Sequence, residues 1–250
     1  MKAVDLNSDM GESDKEIDRD YCILEYVTSA NIACGFHAGD PYTMLRIVKR
    51  CALTGKGIGA HPSFFDRENF GRSRVEIPKE RLVPAILYQV GALQEICRSE
   101  KTEVYHIKPH GALYNMSVEE EQYASAVVDA AKMSGKAILT LPESKVMEKA
   151  TQEKVRVFSE GFADRGYTSK ARLAPRGTQG ALITDPDAAA ERALKLVDGS
   201  AINTVDGNSI NLEVQSICIH SDTPNACSIA KAVRKRLEEA GIAVLKLSEM

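Results

Sequence analysis

Four of the five histidines in this chain (His37, His61, His110 and His220) fall where a stretch that reads as a strand gives way to a loop. Histidines kept only for packing would be scattered over strands and helices alike. Acids accompany most of these four: Asp40, Asp66 and Asp222 in the same loops, and Asp9 at the end of the first strand-like segment. Imidazoles beside carboxylates at a partly dry strand end can transfer protons in a hydrolysis or can hold a divalent metal. Asp9, His37, His61 and His110 are the candidate ligands, since Asp and His suit Zn²⁺ or a harder divalent ion. Both chemistries are open on residue types alone.

The segment Ser29 to Pro41 is the clearest example. A short apolar strand, Ala30 to Cys34, runs into a two-glycine loop, so that Asn31, His37 and Asp40 lie within one small reach. Asp40 followed by Pro41 is also an ordinary helix start, with Asp as N-cap and Pro at the first helical position. Capping and catalysis are compatible roles for it, whereas His37 has no such structural explanation. In the first strand, period-two alternation sets Val4 and Leu6 against Asp5, Asn7 and Asp9. Polar atoms on the inward side of a strand are costly unless they serve a site or pair internally. Lys108 closes a mostly buried strand and needs a partner there. His106, deeper in that strand, reads as a satisfied core residue. The long polar loop from Pro62 to Glu76 carries Arg67, Arg72 and Arg74; Arg67 and Arg74 read as solvated charges, and Arg72 could grip a carboxylate or phosphate in a bidentate way.

The elements that must position these residues alternate throughout. Strands are predicted at Met1 to Asn7, Ala30 to Cys34, among Gly55, Gly57 and Gly59 with an end at His61-Pro62, Val104 to Lys108, Ala137 to Leu141, Arg156 to Ser159, Ser216 to Ile219 and Ile242 to Leu247. Helices are predicted at Ile17 to Thr28, Tyr42 to Leu53, Pro78 to Cys97, Glu119 to Ser134, Ser144 onward, Asp185 to Gly199 and Asn225 to Ala240. A hairpin is expected around Asp206-Gly207-Asn208, and a polar, flexible flap from Thr168 to Gln179. With 250 residues, no linker and no fixed-period repeat, one domain over residues 1–250 with a mostly parallel sheet, closed or nearly closed into a barrel, is the economical fold. Ligands then gather at the carboxyl ends of the strands.

Composition narrows the function classes. Hydrophobic residues make up 44% and charged residues 27%, and the net charge of -3 comes with no basic stripe, so neither nucleic acid nor an anionic membrane is an expected partner. The start lacks the apolar run of a signal peptide, and no segment reaches transmembrane length. The six cysteines are widely spaced with no Cys-x-x-Cys pair, which reads as reduced, buried thiols in a cytoplasmic protein. The glycines at 55, 57 and 59 have neither P-loop nor dinucleotide-fingerprint spacing; close backbone approach in a crowded barrel explains them.

Six blocks, taken in order, resemble the LamB/YcsF family. They are Asp5-Leu-Asn-Ser-Asp-Met-Gly-Glu12, Ala30-Asn-Ile-Ala-Cys-Gly-Phe-His-Ala-Gly-Asp-Pro41, Gly59-Ala-His-Pro62, Lys108-Pro-His-Gly-Ala-Leu-Tyr-Asn115, Glu160-Gly-Phe-Ala-Asp-Arg165 and Ile219-His-Ser-Asp222. The sequence departs from the family pattern at Phe64-Phe65-Asp66, at Arg72-Ser73-Arg74 and at Ser221. The resemblance implies an α/β fold, an irregular seven-stranded (β/α) barrel similar to the glycoside hydrolase/deacetylase superfamily. It also implies the role of that family, the A subunit of the bacterial ATP-dependent 5-oxoprolinase. That enzyme opens the lactam of 5-oxo-L-proline to L-glutamate as ATP, with Mg²⁺, becomes ADP and phosphate, together with B and C partner subunits. On this reading His110 or His37, paired with Asp9 or Asp40, activates water, and Lys108 stabilises developing negative charge. Asn7, Asn31, His61, Arg72, Asn115, Arg176, His220 and Asp222 are the candidate substrate-binding residues, with Arg72 or Arg176 on the substrate carboxylate. A stand-alone metal-dependent deacetylase-like hydrolase, or a non-catalytic barrel subunit completing a partner's site, are the competing readings. Self-association is left open.

Overall fold

A computed structural model describes residues 2–250. Among the described residues, ten strands and eight α-helices follow one another in chain order. The first five strands are β1 (Ala3–Met10), β2 (Ser29–Ala33), β3 (Gly57–His61), β4 (His106–Ile107) and β5 (Ala137–Thr140); then come β6 (Val157–Phe162), β7 (Ala201–Asn203), β8 (Ser209–Asn211), β9 (Ser216–Cys218) and β10 (Ala243–Val244). The helices are α1 (Ile17–Leu24), α2 (Pro41–Thr54), α3 (Lys79–Ser99), α4 (Gly111–Glu119), α5 (Glu121–Ser134), α6 (Lys145–Gln152), α7 (Pro186–Asp198) and α8 (Ala226–Glu239). The main sheet runs in the order β10-β1-β2-β3-β4-β5-β6-β9, and β1 also pairs with β9. Seven strands therefore close into the expected irregular (β/α) barrel. Strand β10 meets β1 at Ala3 and Val4 and β9 meets it at Asp5 to Asn7, so the two follow one another along one flank of β1. Met1, included in the predicted first strand, lies outside the described residues.

The chain divides into two compact units. Unit I comprises residues 2–8, 22–29 and 159–250, and unit II comprises 9–21 and 30–158. Strands β1, β2 and β6 run through both.

In unit II, β3, β4 and β5 are parallel neighbours, with Gly59 opposite His106 and Ile107 opposite Ile138. Helix α2 shows why the sequence folds this way. Pro41 opens it, Gly55 ends it in a left-handed conformation, and Met44, Ile47, Val48 and Cys51 form one buried stripe at i, i+3, i+4, i+7 spacing. Burying each such aliphatic side chain contributes roughly 1.5–3 kcal/mol. Helix α4 was not expected. Ala112, Leu113, Tyr114, Met116, Ser117 and Val118 are buried and only Asn115 and Glu119 are exposed, so the thin polar edge gives this short helix little period to read.

In unit I, β9 lies between β1 and β6, and α7 packs on α8. The hairpin β7/β8 forms around Asp206 and Gly207 as predicted. The segment from Thr168 to Gln179 is not a loose flap. The buried guanidinium of Arg165 donates from Nη2 to Ala174 O (2.7 Å) and from Nε to Ala181 O (3.2 Å), which ties it down. A second correction concerns the cysteines. Cys22 on α1 is exposed and half-buried Cys227 on α8 is bonded to it in a disulfide, although 205 residues separate them. Cys34, Cys51, Cys97 and Cys218 are free, buried thiols, as expected. Burial pushes the first three up to about 12. Among the described residues, no helix is long and apolar enough to cross a membrane.

Candidate active site

Unit II carries four buried histidines, and the ladder between β3 and β4 sets three of them. Pairing persists beyond the formal end of β4: Lys108 N donates to Ala60 O (2.9 Å) and His110 N to Pro62 O (2.8 Å). Extended backbone through residue 110 puts His106, Lys108 and His110 on one side of the strand. His61 ends β3 beside them. Gly59 in β3 is glycine because a Cβ there would stand 2.2 Å from His106 Nε2. Close approach, not phosphate binding, thus accounts for at least this member of the glycine run. His37 arrives from the loop after β2.

The rings form one stack with an edge partner. His37 lies flat on His110, with centroids 3.8 Å apart and planes 5° apart, and His61 meets His110 edge-on at 4.8 Å. Their tautomers follow from their partners. A carbonyl oxygen only accepts, so His61 Nδ1–H donates to Lys108 O (2.7 Å) and His110 Nε2–H donates to Phe70 O (2.9 Å). The remaining nitrogens, His61 Nε2 and His110 Nδ1, then face one another across 2.9 Å, each with a lone pair. Glu12 Oε1 stands 3.4 Å from His37 Nε2 and 3.6 Å from His110 Nδ1. Neither ring nitrogen of His37 makes a hydrogen bond, although the side chain is buried.

A second layer supports the first. His106 Nε2–H donates to Asn31 Oδ1 (2.7 Å), Asn31 Nδ2 donates to Asp9 Oδ1 (2.9 Å), and Lys108 Nζ donates to the same oxygen (3.0 Å). Asp9 Oδ2 lies 3.4 Å from His61 Nε2. Lys108 is only 2% exposed, so removing either partner of its pair with Asp9 would leave a buried, uncompensated charge, at a cost of about 3–5 kcal/mol.

Burial keeps all four rings neutral. It drives His37 down to about 3 against the opposing pull of Asp9. It takes His110 to about 4 and His106 to about 3, and holds His61 well below the ordinary imidazole value. Neutral imidazoles with converging lone pairs and one carboxylate are a cation's donor set. Donor atoms of Glu12, His37, His61 and His110 all lie within 4.8 Å of one another. The orphaned nitrogens of His37 and the opposed lone pairs of His61 and His110 fit a divalent metal.

Of the residues singled out in the sequence, Asp9, Asn31, His37, His61, Lys108 and His110 come together here. Two others of unit II, Asp40 and Asn115, do not join them, and a third, Arg72, stands at the edge, where its charge acts on His37. Asp40 is exposed and serves as the cap of α2: Oδ1 accepts from Tyr42 N (2.8 Å) and Thr43 N (3.1 Å), and Oδ2 from Thr43 Oγ1 (2.6 Å). Arg72 is exposed, with its guanidinium 4.8 Å above the Phe70 ring. Asn115 is exposed on α4. Two residues of the network carry more than the sequence suggested. His106 is part of the relay to Asp9, and its signal was its place two residues before Lys108 on the same strand face. Glu12 follows Asp9 by three residues, past the turn at Gly11.

The remaining candidates belong to unit I. Asn7 Nδ2 donates to Ser216 Oγ (2.7 Å), which in turn donates to Asp5. His220 Nδ1 lies 3.0 Å from Oδ1 of the fully buried Asp164; Oδ2 of that carboxylate accepts from His220 N (3.1 Å) and Thr223 Oγ1 (2.5 Å). The Phe162 ring stacks on His220 at 5.3 Å, and Arg176 pairs with Asp222 at 3.1 Å.

Comparison with known proteins supplies the family. The chain is 43% identical over 245 residues to the 5-oxoprolinase A subunit of Streptomyces avermitilis, covering 96% of this chain and 98% of the relative. It is 42% identical over 250 residues to the 5-oxoprolinase A subunit of Pyrococcus furiosus, covering 98% of each. Among solved structures, the lactam utilization protein of Thermus thermophilus superposes with a TM-score of 0.89 at 37% identity, covering 99% of this chain and all of that one. A family 4 carbohydrate esterase from Streptomyces lividans, in complex with acetate, shares the fold alone, with a TM-score of 0.52 at 11% identity over 97% of this chain and 91% of that one. The LamB/YcsF family model matches residues 4–250, and this chain belongs to that family.

Proposed function

We propose that this chain is the A subunit of an ATP-dependent 5-oxoprolinase, a hydrolase that opens the lactam of 5-oxo-L-proline to L-glutamate. The observation that carries the reading is near-full-length identity to proteins of that name in a chain whose buried histidine cluster is equipped for hydrolysis. A five-membered lactam is a stable amide, and ATP makes it reactive. Transfer of the γ-phosphoryl group to the lactam oxygen releases ADP and leaves an electrophilic carbon. One water adds there and gives up a proton; the ring C–N bond breaks as nitrogen takes a proton, leaving the γ-phosphate of glutamate. A second water releases phosphate, so two waters are consumed for each glutamate.

In this scheme His37 Nε2, neutral and without a hydrogen bond, takes the proton from water, and Glu12 at 3.4 Å supports the imidazolium that results. Glu12 takes the place first offered to Asp40, whose oxygens are committed to α2. Lys108 pairs with Asp9 and lends positive charge to the site. Asn31 and His106 orient Asp9. Asn7, Arg176, His220 and Asp222 remain candidates for the substrate side. The chain has no P-loop, so ATP with its Mg²⁺ is handled wholly or partly by the B and C subunits. The reading includes a cytoplasmic location, where Cys22 and Cys227 would stand as thiols.

A second reading is favoured by the opposed lone pairs of His61 and His110. Glu12, His37, His61 and His110 would hold a divalent cation, and when bound it would lower the pKa of water and polarise the carbonyl. Asp9, Lys108 and Asn31 keep their orienting roles in either case. Metal content of the purified protein, with activity before and after chelation, separates the two readings.

The assay for the main reading is 5-oxoproline-dependent ADP formation with this chain alone and with the B and C subunits. Glutamate should appear in step with ADP only in the complete mixture. Stoichiometric glutamate from this chain alone, with ATP and Mg²⁺, overturns the division of labour. No glutamate from the complete mixture overturns the activity.

A further inference from the structure

We propose that the dipeptide Phe70-Gly71 is a positioning element for His110, acting through its backbone. The long loop after β3 comes back over the histidine stack at these two residues. Phe70 holds φ at 56°, in the left-handed region that L-residues rarely adopt, and this turns its carbonyl onto His110 Nε2 at 2.9 Å. That single bond decides the ring's chemistry. With Nε2 carrying the hydrogen, Nδ1 keeps its lone pair and faces His61 Nε2 at 2.9 Å and Glu12 Oε1 at 3.6 Å. With the hydrogen on Nδ1, no lone pair would point there, whether its task were to accept a proton or to bind a cation. A backbone carbonyl on the far nitrogen is the usual way such a ring is held.

Gly71 allows the strap to lie so close. Its φ is 64°, and a Cβ at this position would stand 2.3 Å from Ser63 Oγ, 2.8 Å from His37 Cβ and 3.0 Å from His110 Cδ2. The strap is anchored at both ends. Gly71 O accepts from Ala112 N (2.9 Å), at the start of the helix that follows His110. On the other side, Gly71 N donates to Asp66 O (2.7 Å), and the Asp66 carboxylate accepts from Asn69 Nδ2 (2.7 Å) and Ser73 N (3.1 Å). The Phe70 ring meets His37 and His110 edge-on at 5.5 and 5.3 Å and covers the stack. Asp66 is therefore the staple of the strap, and the Phe70 carbonyl is its working atom.

The catalytic consequence rests on the hydrolase reading above, but the tautomer does not. The test uses the full chain with ¹⁵N-labelled histidine and reads which nitrogen of His110 carries the hydrogen, alongside steady-state kinetics of the complex with the B and C subunits. Wild type should show His110 as the Nε2–H form alone. Gly71→Ala, which lifts the strap, and Asp66→Ala, which unstaples it from outside the site, should each give mixed tautomers. Each should lower kcat at least about tenfold with KM nearly unchanged, the pattern of misplaced rather than missing groups. Phe70→Gly keeps the carbonyl and suits the backbone angle, so it should retain the Nε2–H form. If Gly71→Ala fails to fold, Asp66→Ala decides. A single Nε2–H tautomer in folded Asp66→Ala, or a scrambled one in Phe70→Gly, overturns the proposal. An altered tautomer with no measurable 5-oxoprolinase activity in any form, wild type included, would leave the positioning role standing and remove the hydrolase reading instead.

Discussion

Two regions of this protein hold histidines in opposite ways. In unit II, His61 and His110 give their N–H groups to backbone carbonyls and turn lone pairs inward. In unit I, His220 gives Nδ1 to a buried carboxylate. Burial works to raise the Asp164 pKa, but the His220 charge and the hydrogen bonds from His220 and Thr223 outweigh it and hold Asp164 below the ordinary carboxylate value. A ring held by carbonyls in a dry pocket is kept neutral, whereas a ring held by an ionised carboxylate is supported when it becomes a cation. The sequence shows the same residue type at the same kind of strand end in both places. What differs is the ring's partner: backbone carbonyls in the first region leave lone pairs facing inward, whereas a buried carboxylate orients the ring in the second.

The largest expected effect is at the first region. His37→Ala should lower turnover of the assembled enzyme by about 10²-fold or more, the lower range for loss of a general acid/base. Stability should change far less, because neither ring nitrogen makes a hydrogen bond that folding could lose. Turnover and urea unfolding measured on one preparation check this. A variant that unfolds readily while its folded fraction turns over normally would make His37 a packing residue and erase the contrast between the regions.

The second effect sharpens the role of burial, which neutralises acids as well as imidazoles. Asp5, in unit I, is fully buried, and burial raises its pKa from 3.8 to about 6 despite hydrogen bonds from Ser216, Ser29 and Thr28. The folded state therefore holds the proton more tightly than the unfolded state. Its contribution to stability is fully present below about pH 4 and is lost as pH rises through 6, a change of roughly 3 kcal/mol at about 1.4 kcal/mol per unit. Urea unfolding of wild type and Asp5→Asn across pH 4 to 7 reads this directly. The wild-type curve should fall more steeply, and parallel curves would show that Asp5 does not titrate there.

The third effect tests the second region. Asp164→Asn preserves the shape but removes the charge that faces His220 Nδ1. Turnover should fall roughly tenfold, about 1.4 kcal/mol of transition-state stabilisation, and the ¹⁵N signals of His61 and His110 should stay as in wild type. Unchanged turnover would make the Asp164–His220–Thr223 network a structural brace.

How far these regions were legible in the sequence follows from the same physics. The barrel could be read because strands and capped helices alternate: Asp185-Pro186 and Gly199 bracket α7, and Gly135 ends α5, where predicted. Asp9, His37, His61, Lys108 and His110 could be read because a charged or imidazole side chain at a buried strand end has few other reasons to be there. Helix α4 could not, since only Asn115 and Glu119 are exposed and so thin a polar edge hardly marks a period. The Cys22–Cys227 bond joins helices 205 residues apart, and local spacing is silent about it. The Phe70 carbonyl was beyond reach for another reason: its function lies in a backbone atom, which every residue type possesses. His106 reads as core in the sequence because its partner, Asn31, comes from a different strand.

The sequence offers Asp9 or Asp40 as the carboxylate for His37, and the structure sets Glu12 beside it instead. Glu12 lies 3.4 Å from His37 Nε2, whereas Asp40 is exposed and spends both oxygens on the first turn of α2. The hydrogen bond from the Thr43 hydroxyl, joined by the backbone N–H groups of Thr43 and Tyr42, holds the Asp40 carboxyl below its ordinary pKa, as suits a cap that is ionised at neutral pH. Asn caps a helix as well as Asp does, and Ala does not. Asp40→Asn should therefore keep both stability and turnover, whereas Asp40→Ala should lose about 1 kcal/mol of stability and keep the kcat of its folded fraction. Glu12→Gln, by contrast, should lower kcat while the fold holds. If Asp40→Asn lost activity as Glu12→Gln does, the carboxylate of Asp40 would have a chemical role beyond the cap, and the partner of His37 would have to be sought in the loop after β2 rather than beyond Gly11.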